Sequence, residues 1–439
     1  MASILVQADD FSGAAEVGSC FVRYGLTTQL ILETLNDDSA GGNVTAGIAA
    51  YAPVSDVVVA DTHTRGLSAS EAGKAVEAIF AGSLAANTDI WFKKIDSLWR
   101  GNIHAEIEVL NRLGHSVVVA GALPQLGRSV RHGKPYVNGL PLDRTDLWQA
   151  EASTPPSTIA GLVQPDSPES VQMLRLPEVR SAHFPAILAE ALTDGDPTIV
   201  VVDGESAQDL EQVVRALWQL GFAHRGRRIV LAGTGGLADV LARRLASRSA
   251  RNAQTATGTN VTTPEPQPDA VPVLAVVGSA SAVATTQLAH LEMAGFGIIR
   301  LDPGNMSAHG SQLGPAKQIL RSSNKLAVTL QEGGVDPHQS ADIVRALASF
   351  AVDAVQGTNA DLILTGGATA REVLDVLGLR SLMPLAAVQH GAVLSRASDG
   401  TLVGTKPGSF GDAHALTQLH HQMQLRRAHP SDITTTYSA

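Results

Sequence analysis

The chain has 439 residues and a formal net charge of -10, and it is 44% hydrophobic, 17% charged and only 4% aromatic. That length is too great for one ordinary core and points to two or three lobes, while an acidic balance without a basic, aromatic-laced patch excludes extended nucleic-acid binding. A lone cysteine, Cys20, excludes an internal disulfide and favours a reducing compartment; with no window near the roughly 18 apolar residues of a membrane span and a start that reads as a strand, the expectation is a cytoplasmic protein with no membrane partner.

In chain order, Ser3–Ala8 reads as a strand, Ala14–Tyr24 as a helix, and Thr28–Leu32 and Val57–Ala60 as strands. Helix Ser68–Phe80, strand Ile90–Lys94, helix Ile103–Leu113 and strands Ser116–Ala120, Thr198–Asp203 and Arg228–Leu231 follow. Short apolar runs between helices are the pattern of strands buried on both faces of a parallel sheet. Residues 151–180, rich in Pro and Ser, read as an irregular insertion. Residues 249–270 hold almost no large apolar side chain and read as a linker or mobile loop. Alternation then resumes with strands Val271–Val277 and Ile298–Leu301, helix Ser340–Ala354, strand Asp361–Leu364, helix Thr369–Leu377 and the run Leu402–Lys406. The expected fold is α/β, with two lobes, each a mostly parallel sheet flanked by helices. Their expected limits are 1–248 and 271–427, with a frayed tail over 428–439.

Seven stretches are candidates for chemistry. Asp9 and Asp10 lie between the first strand and its helix, where open α/β sheets bind ligands, and one of them can act as general base or metal ligand. Plain helix capping is the bland reading of the pair, though a cap needs one Asp and not two. Lys93, Lys94, Asp96, Ser97 and Arg100 crowd a strand-to-helix turn and make an anion-binding cup. Arg65, in the loop after Val57–Ala60, has the planar fork that clamps a carboxylate. Gly233 to Ala238 imitates a dinucleotide fingerprint, but Arg248, Ser249 and Arg251 stand where its acidic residue belongs, so it reads as a tight turn. In the second lobe three small turns follow strands: Gly278 to Ser281, Thr365 to Ala370 and Gly404 to Gly411. Their backbone N–H groups and hydroxyls suit phosphate oxygens, although no Walker A motif is present. No histidine pair has the spacing of structural zinc.

Ala8-Asp9-Asp10-Phe11-Ser12-Gly13, Lys94-Ile95-Asp96-Ser97-Leu98-Trp99-Arg100-Gly101, Thr365-Gly366-Gly367 and Lys406-Pro407-Gly408-Ser409-Phe410-Gly411 together resemble the four-carbon acid-sugar kinases. That family includes D-threonate, L-threonate, D-erythronate and 3-oxo-tetronate kinases. The resemblance runs from about residue 3 to about residue 420. It implies an N-terminal lobe that binds the sugar acid and a C-terminal lobe that binds ATP. Carried over residue by residue, it places the acid on Asp9, Asp10, Arg65, Lys94, Ile95, Asp96, Ser97 and Arg100, with Arg128 in a similar P-x-x-G-R turn. ATP falls on Ser279 or Ser281, on Thr365, Gly366, Gly367 and Ala368, and on Lys406, Gly408, Ser409 and Gly411. Trp99 and Ala368 depart from the family pattern, and the metal ligands stay open.

The expected activity is ATP- and Mg²⁺-dependent phosphorylation of a terminal hydroxyl of a four-carbon sugar acid. Asp10 (or Asp9) takes the proton, Lys94 completes the catalytic set, and closure of the two lobes excludes water. Sugar acid and ATP are the expected partners, and a homo-oligomer is compatible with the sequence. The alternatives are a non-catalytic sugar-acid sensor, or a nucleotide-dependent ligase or dehydrogenase built on the Gly233 turn.

Overall fold

The computed structural model describes residues 3–32, 55–81, 85, 88–148, 151, 153–192, 196–222, 229–252, 271–278, 281–304, 310–331, 340–389, 391–408 and 410–428. The chain divides into two units, Met1–Thr255 and Ala256–Ala439.

In the N-terminal unit β1 (Ile4–Ala8) is buried at every position, as a strand covered on both faces must be. Asp10 caps α1 (Phe11–Arg23) by accepting the Gly13 N–H at 2.9 Å. Next come β2 (Thr28–Leu32), β3 (Val57–Asp61), α2 (Ala69–Phe80), β4 (Ile90–Lys94), α3 (Ile103–Arg112) and β5 (Ser116–Ala120). The S-x-x-E spacing of Ser68 and Glu71 makes a reciprocal capping box at the start of α2. A three-stranded antiparallel sheet follows, formed by β6 (Arg128–Arg131), β7 (Lys134–Val137) and β8 (Leu140–Pro141).

The stretch read from sequence as irregular contains α4 (Ile159–Val163), β9 (Gln172–Leu174) and α5 (Leu176–Val179). These elements are three to five residues long, too short to show a hydrophobic period. The unit ends with α6 (Phe184–Ala191), β10 (Ile199–Val202), α7 (Ala207–Gln219), β11 (Ile229–Gly233) and α8 (Gly235–Asn252). Residues 249–252, expected in the linker, continue α8; the remainder, 253–270, lies outside the described residues.

The main sheet of this unit runs β2-β3-β1-β4-β11-β5-β10-β9, with every pair parallel. From β1 the chain builds to one side through β2 and β3, then to the other through β4. The C-terminal ends of β1, β3 and β4 therefore flank a topological switch point, the place where such sheets bind ligands. Beneath it, Leu5, Val58, Val117 and Val201 pack with Ile103, Ile107 and Leu110 of α3 and with Trp99 and Trp148.

The C-terminal unit contains β12 (Val273–Val277), α9 (Ala282–Met293), β13 (Gly297–Leu301), α10 (Gly310–Ser323), β14 (Lys325–Leu330), α11 (Ser340–Val355), β15 (Asp361–Thr365) and α12 (Gly367–Val376). After them come β16 (Ser381–Gln389), β17 (Ala392–Ala397), β18 (Leu402–Lys406) and α13 (Ala415–Ala428). Its strands run β13-β14-β12-β15-β18-β17-β16, parallel as far as β18 and antiparallel after it. β12 lies between β14 and β15, so the ends of β12 and β15 make the second switch point. Among the described residues no helix is long and apolar enough to cross a membrane.

Candidate active site

Strand alternation sets the charges of the N-terminal unit. Successive side chains on a strand point to opposite faces, so the adjacent lysines at the end of β4 diverge. Lys93, fully buried, reaches Glu106 of α3 at 2.9 Å, and Glu106 is itself only 1% exposed. Lys94 turns to the other face and meets Glu16 of α1 at 3.3 Å. Lys94 Nζ also donates to the Ile95 carbonyl at 3.0 Å, and Lys93 Nζ to the Lys94 carbonyl at 2.7 Å. A buried lysine stays charged only with such partners. Glu106 and Glu16 were not among the residues singled out from sequence, since nothing in α1 or α3 read alone marks them as counter-ions.

The loop after β3 is tied to the end of β1: the N–H groups of Thr64 and Arg65 both donate to the Asp9 carbonyl, at 2.9 and 3.1 Å. Arg65 then turns its guanidinium onto both aspartates. Nε and NH2 donate to Asp9 at 2.8 and 3.0 Å, and NH1 and NH2 donate to Asp10, both at 3.0 Å. Asp96 Oδ1 stands 3.7 Å from NH1. Gly101 has a φ of +88°, and a Cβ there would lie 2.8 Å from Asp9 Oδ2, so glycine gives both the turn and the clearance.

The two aspartates are driven apart. Burial opposes the charge on Asp9, but Arg65 and Lys93 outweigh it and hold that carboxyl below the usual carboxylate range. Burial pushes Asp10 up, aided by the charges of Asp9 and Asp96, and Arg65 and Lys94 do not reverse it. One ionised anchor beside one carboxyl of raised proton affinity is the division of roles that acid–base chemistry uses. Asp10 thus has two roles, capping α1 and facing the cluster.

Asp96 folds the following turn around itself. Its carboxylate accepts from the Leu98 N–H at 3.0 Å and from Arg100 Nε and NH2 at 2.8 and 2.9 Å. Despite burial, Arg100, Arg65 and Lys94 hold it well below the usual carboxylate range. Trp99 takes a left-handed φ of 65°, held there by its fully buried indole. That ring lies where a Cβ on Gly121 would sit, 2.2 Å from Trp99 Cζ2. Trp148 Nε1 pins the same turn through the Leu98 carbonyl at 2.8 Å. Arg128 NH1 donates to the Ser97 hydroxyl. The structure thus gathers Asp9, Asp10, Arg65, Lys94, Asp96, Ser97, Arg100 and Arg128. Ile95 is placed differently: its side chain is 1% exposed within the core, and only its backbone reaches the turn.

The glycines of the Gly233 turn meet protein atoms. A Cβ on Gly233 would lie 2.3 Å from Leu237 Cδ2, and one on Gly235 would lie 2.3 Å from Glu16 Oε1. They make room for Leu237 and for the counter-ion of Lys94.

In the C-terminal unit the turns after β12, β15 and β18 interlock. Gly278 N–H donates to the Thr365 carbonyl at 3.3 Å, and Gly366 N–H to the Lys406 carbonyl at 3.0 Å. Gly366, with φ +93°, precedes α12 and offers no side-chain cap, which leaves the first N–H groups of that helix open to an anion. Ala368, exposed in the first turn of α12, adds no group that would compete. Thr365 Oγ1 is buried without a hydrogen-bond partner among the described residues. Ser281 caps α9 and donates to the Gly408 carbonyl at 3.1 Å. Lys406 is 2% exposed and donates to the carbonyls of Pro407 and Gly408 at 2.7 and 3.0 Å. Burial lowers its ammonium to about 8. Gly411, with φ +79°, closes the last turn. An uncapped helix start, an orphaned hydroxyl and a buried cation fit a polyphosphate. Ser279 and Ser409 lie outside the described residues.

Comparison with known proteins agrees with this division. Residues 4–241 match the sugar-binding N-terminal domain model, and residues 274–416 match the nucleotide-binding C-terminal domain model. The chain is 31% identical to the D-threonate kinase of Cupriavidus necator, over 97% of this chain and 99% of that one. It is 29% identical to the 3-oxo-tetronate kinase of Methylobacterium radiotolerans, over 92% and 96%. A solved Haemophilus influenzae structure shares the fold with a TM-score of 0.68 at 19% identity, covering 95% of this chain and 99% of that one. The chain belongs to the four-carbon acid-sugar kinase family, with a sugar-binding N-terminal domain and a nucleotide-binding C-terminal domain.

Proposed function

We propose that the protein is an ATP-dependent kinase that phosphorylates a terminal hydroxyl of a four-carbon sugar acid of the threonate, erythronate or oxo-tetronate type. The observation that carries this reading is the adjacent carboxylate pair, Asp9 and Asp10, held under one shared guanidinium at the switch point of the sheet. A protein that only bound the acid would have no use for a carboxylate base there.

Asp10 takes the proton of the attacking hydroxyl, whose oxygen bonds to the γ-phosphorus as the β–γ bridging bond breaks and ADP leaves. Asp9 stays ionised and, with Arg65, fixes the position of Asp10. Lys94, held between Glu16 and Asp10, keeps a positive charge beside the reacting hydroxyl. The N–H groups at the start of α12, the Thr365 hydroxyl and Lys406 hold the nucleotide phosphates. The groups that hold those phosphates would also seat a Mg²⁺ ion carried on them, which would supply further charge neutralisation there. Phosphoryl transfer depends mainly on positioning and charge stabilisation, which this set of groups supplies without a covalent nucleophile.

A panel of four-carbon acids of every stereochemistry, offered with ATP and Mg²⁺ in a coupled ADP-release assay, tests the reading. Turnover with at least one acid and none with NAD(P) is expected. ADP release that no acid raises above background would sink it.

A further inference from the structure

A sugar-acid substrate brings a carboxylate, and the charges at this site are matched among themselves with one exception. Arg65 is engaged by Asp9 and Asp10, and Arg100 by Asp96. Lys93 and Lys94 face Glu106 and Glu16. Arg128 differs. Among the described residues it meets no carboxylate at ion-pair distance. NH1 donates to the Ser97 hydroxyl, and Nε is buried without an acceptor. Asp96, Arg100 and Glu16 are its charged neighbours, but the Asp96 oxygens already accept from Arg100 and Leu98. Burial pushes the Arg128 guanidinium below its ordinary range, whereas carboxylates hold those of Arg65 and Arg100 above theirs.

The base of this side chain is fixed. Arg128 and Leu123 exchange backbone hydrogen bonds at 3.1 and 2.9 Å, and Asn138 N–H donates to the Gly127 carbonyl at 2.8 Å. Gly127 supplies the left-handed turn that this needs, with φ +64°. A rigidly based guanidinium with a buried, unmatched N–H lacks one thing, a planar anion that accepts two parallel bonds.

We propose that Arg128, with the Ser97 hydroxyl beside it, takes the carboxylate of the substrate and so makes the site select four-carbon acids over the matching neutral polyols. This assignment rests on the sugar-acid kinase reading and moves carboxylate recognition from Arg65 to Arg128. Arg65, held on the aspartates, has the separate task of positioning the base.

The test compares the parent with Arg128→Gln and Arg128→Lys, using the best acid of the panel and its four-carbon polyol as substrate or competing inhibitor. Acid binding is also followed by calorimetry without ATP. A bond to a charged group corresponds to a loss of about 10²-fold. Arg128→Gln is therefore expected to lose about 10²-fold in kcat/KM for the acid, mostly through KM, while its constants for the polyol and for ATP stay within about threefold. Arg128→Lys is expected to regain part of the acid preference. Equal losses for acid and polyol in a folded Arg128→Gln protein, or unchanged acid affinity by calorimetry, overturn the assignment. A parent inactive with every acid sinks the kinase reading instead, and calorimetry then decides Arg128 alone: parent-like acid affinity in Arg128→Gln overturns it, and a loss of about 10²-fold supports it.

Discussion

Removing Arg65 tests whether one guanidinium holds two buried aspartates together. Arg65→Ala deletes four hydrogen bonds to Asp9 and Asp10 and leaves two like charges side by side. Stripping one partner from a buried ion pair costs about 3–5 kcal/mol. Arg65 is 25% exposed, and Lys93 and Lys94 still face the aspartates, so the lower end, about 3 kcal/mol, is expected at pH 7.5. For a unit of this size that is a melting shift of about 6–12 °C. The pH dependence makes the test sharper. In the parent the folded value of Asp9 is depressed, so its stabilising contribution is present above the unfolded value of 3.8 and is lost as pH falls through the folded value. Asp10 has the opposite sign: its raised folded value opposes folding once it is ionised, and that cost disappears as pH falls through that value. Without Arg65 both carboxyls rise and the native variant takes up protons that the unfolded chain does not. Its deficit is then largest near pH 7.5 and shrinks toward pH 5. All 4 tryptophans lie in the N-terminal unit, so urea unfolding followed by tryptophan fluorescence reads this unit by itself. A deficit under about 1 kcal/mol at pH 7.5, or an equal one at both pH values, refutes the role given to Arg65.

Asp10→Asn keeps the helix cap, because Asn caps about as well as Asp, so melting is expected within about 2 °C of the parent. Its kcat should fall about 10²–10⁴-fold, and near-parental kcat would transfer the base role to Asp9. Gly121→Ala drives a methyl to 2.2 Å from the Trp99 ring and should cost about 1–3 kcal/mol with a matching loss of acid affinity; Trp99→Leu in the same chain should restore part of both, and an unperturbed single variant would show that the 96–101 turn does not depend on this contact. ATP affinity measured by calorimetry should weaken as pH rises through about 8, where Lys406 loses its proton, and Lys406→Met should be weak at every pH; a parent-like slope in that variant would assign the titration elsewhere.

Seven strands of the N-terminal sheet, and β12, β13, β15 and β18 of the C-terminal one, were legible in the sequence because each is a short apolar run with no competing period. The β1 run over Ile4–Ala8 and the β12 run over Val273–Val277 are buried at every position, which makes the pattern unambiguous. β14, β16 and β17 went unread, and so did shorter elements of two to four residues. β6, β7 and β8 carry Arg, Lys and Pro in strands that are only partly buried, and β9 pairs through three residues. Motif residues were legible as a set, because Asp, Lys and Arg at strand ends are rarely neutral in a parallel sheet. Their pairing was not. Arg65 reads from sequence as a free fork for a substrate, and only the backbone bonds from Thr64 and Arg65 to the Asp9 carbonyl turn it onto the aspartates.

The two adjacent lysines of β4 show why spacing alone misassigns such roles. Read along the chain, Lys93 and Lys94 look like one patch of charge facing one ligand. On a strand they cannot share a face, and each enters a different helical layer where an uncompensated ammonium would not survive. Each therefore has its own glutamate, and each lies beside a different aspartate: Lys93 acts on Asp9 and Lys94 on Asp10. The same two-sided supply lets neighbouring carboxylates differ: at Asp9 the cations Arg65 and Lys93 outweigh burial, while at Asp10 burial and the repulsion of Asp9 and Asp96 outweigh Arg65 and Lys94. A site whose own charges are matched in this way exerts little net pull on an anion except where a cation is left unmatched. That unmatched cation is Arg128, at the start of β6 and 28 residues beyond Arg100, where no reading of the Lys-x-Asp-Ser-x-x-Arg segment would have placed the selectivity of the enzyme.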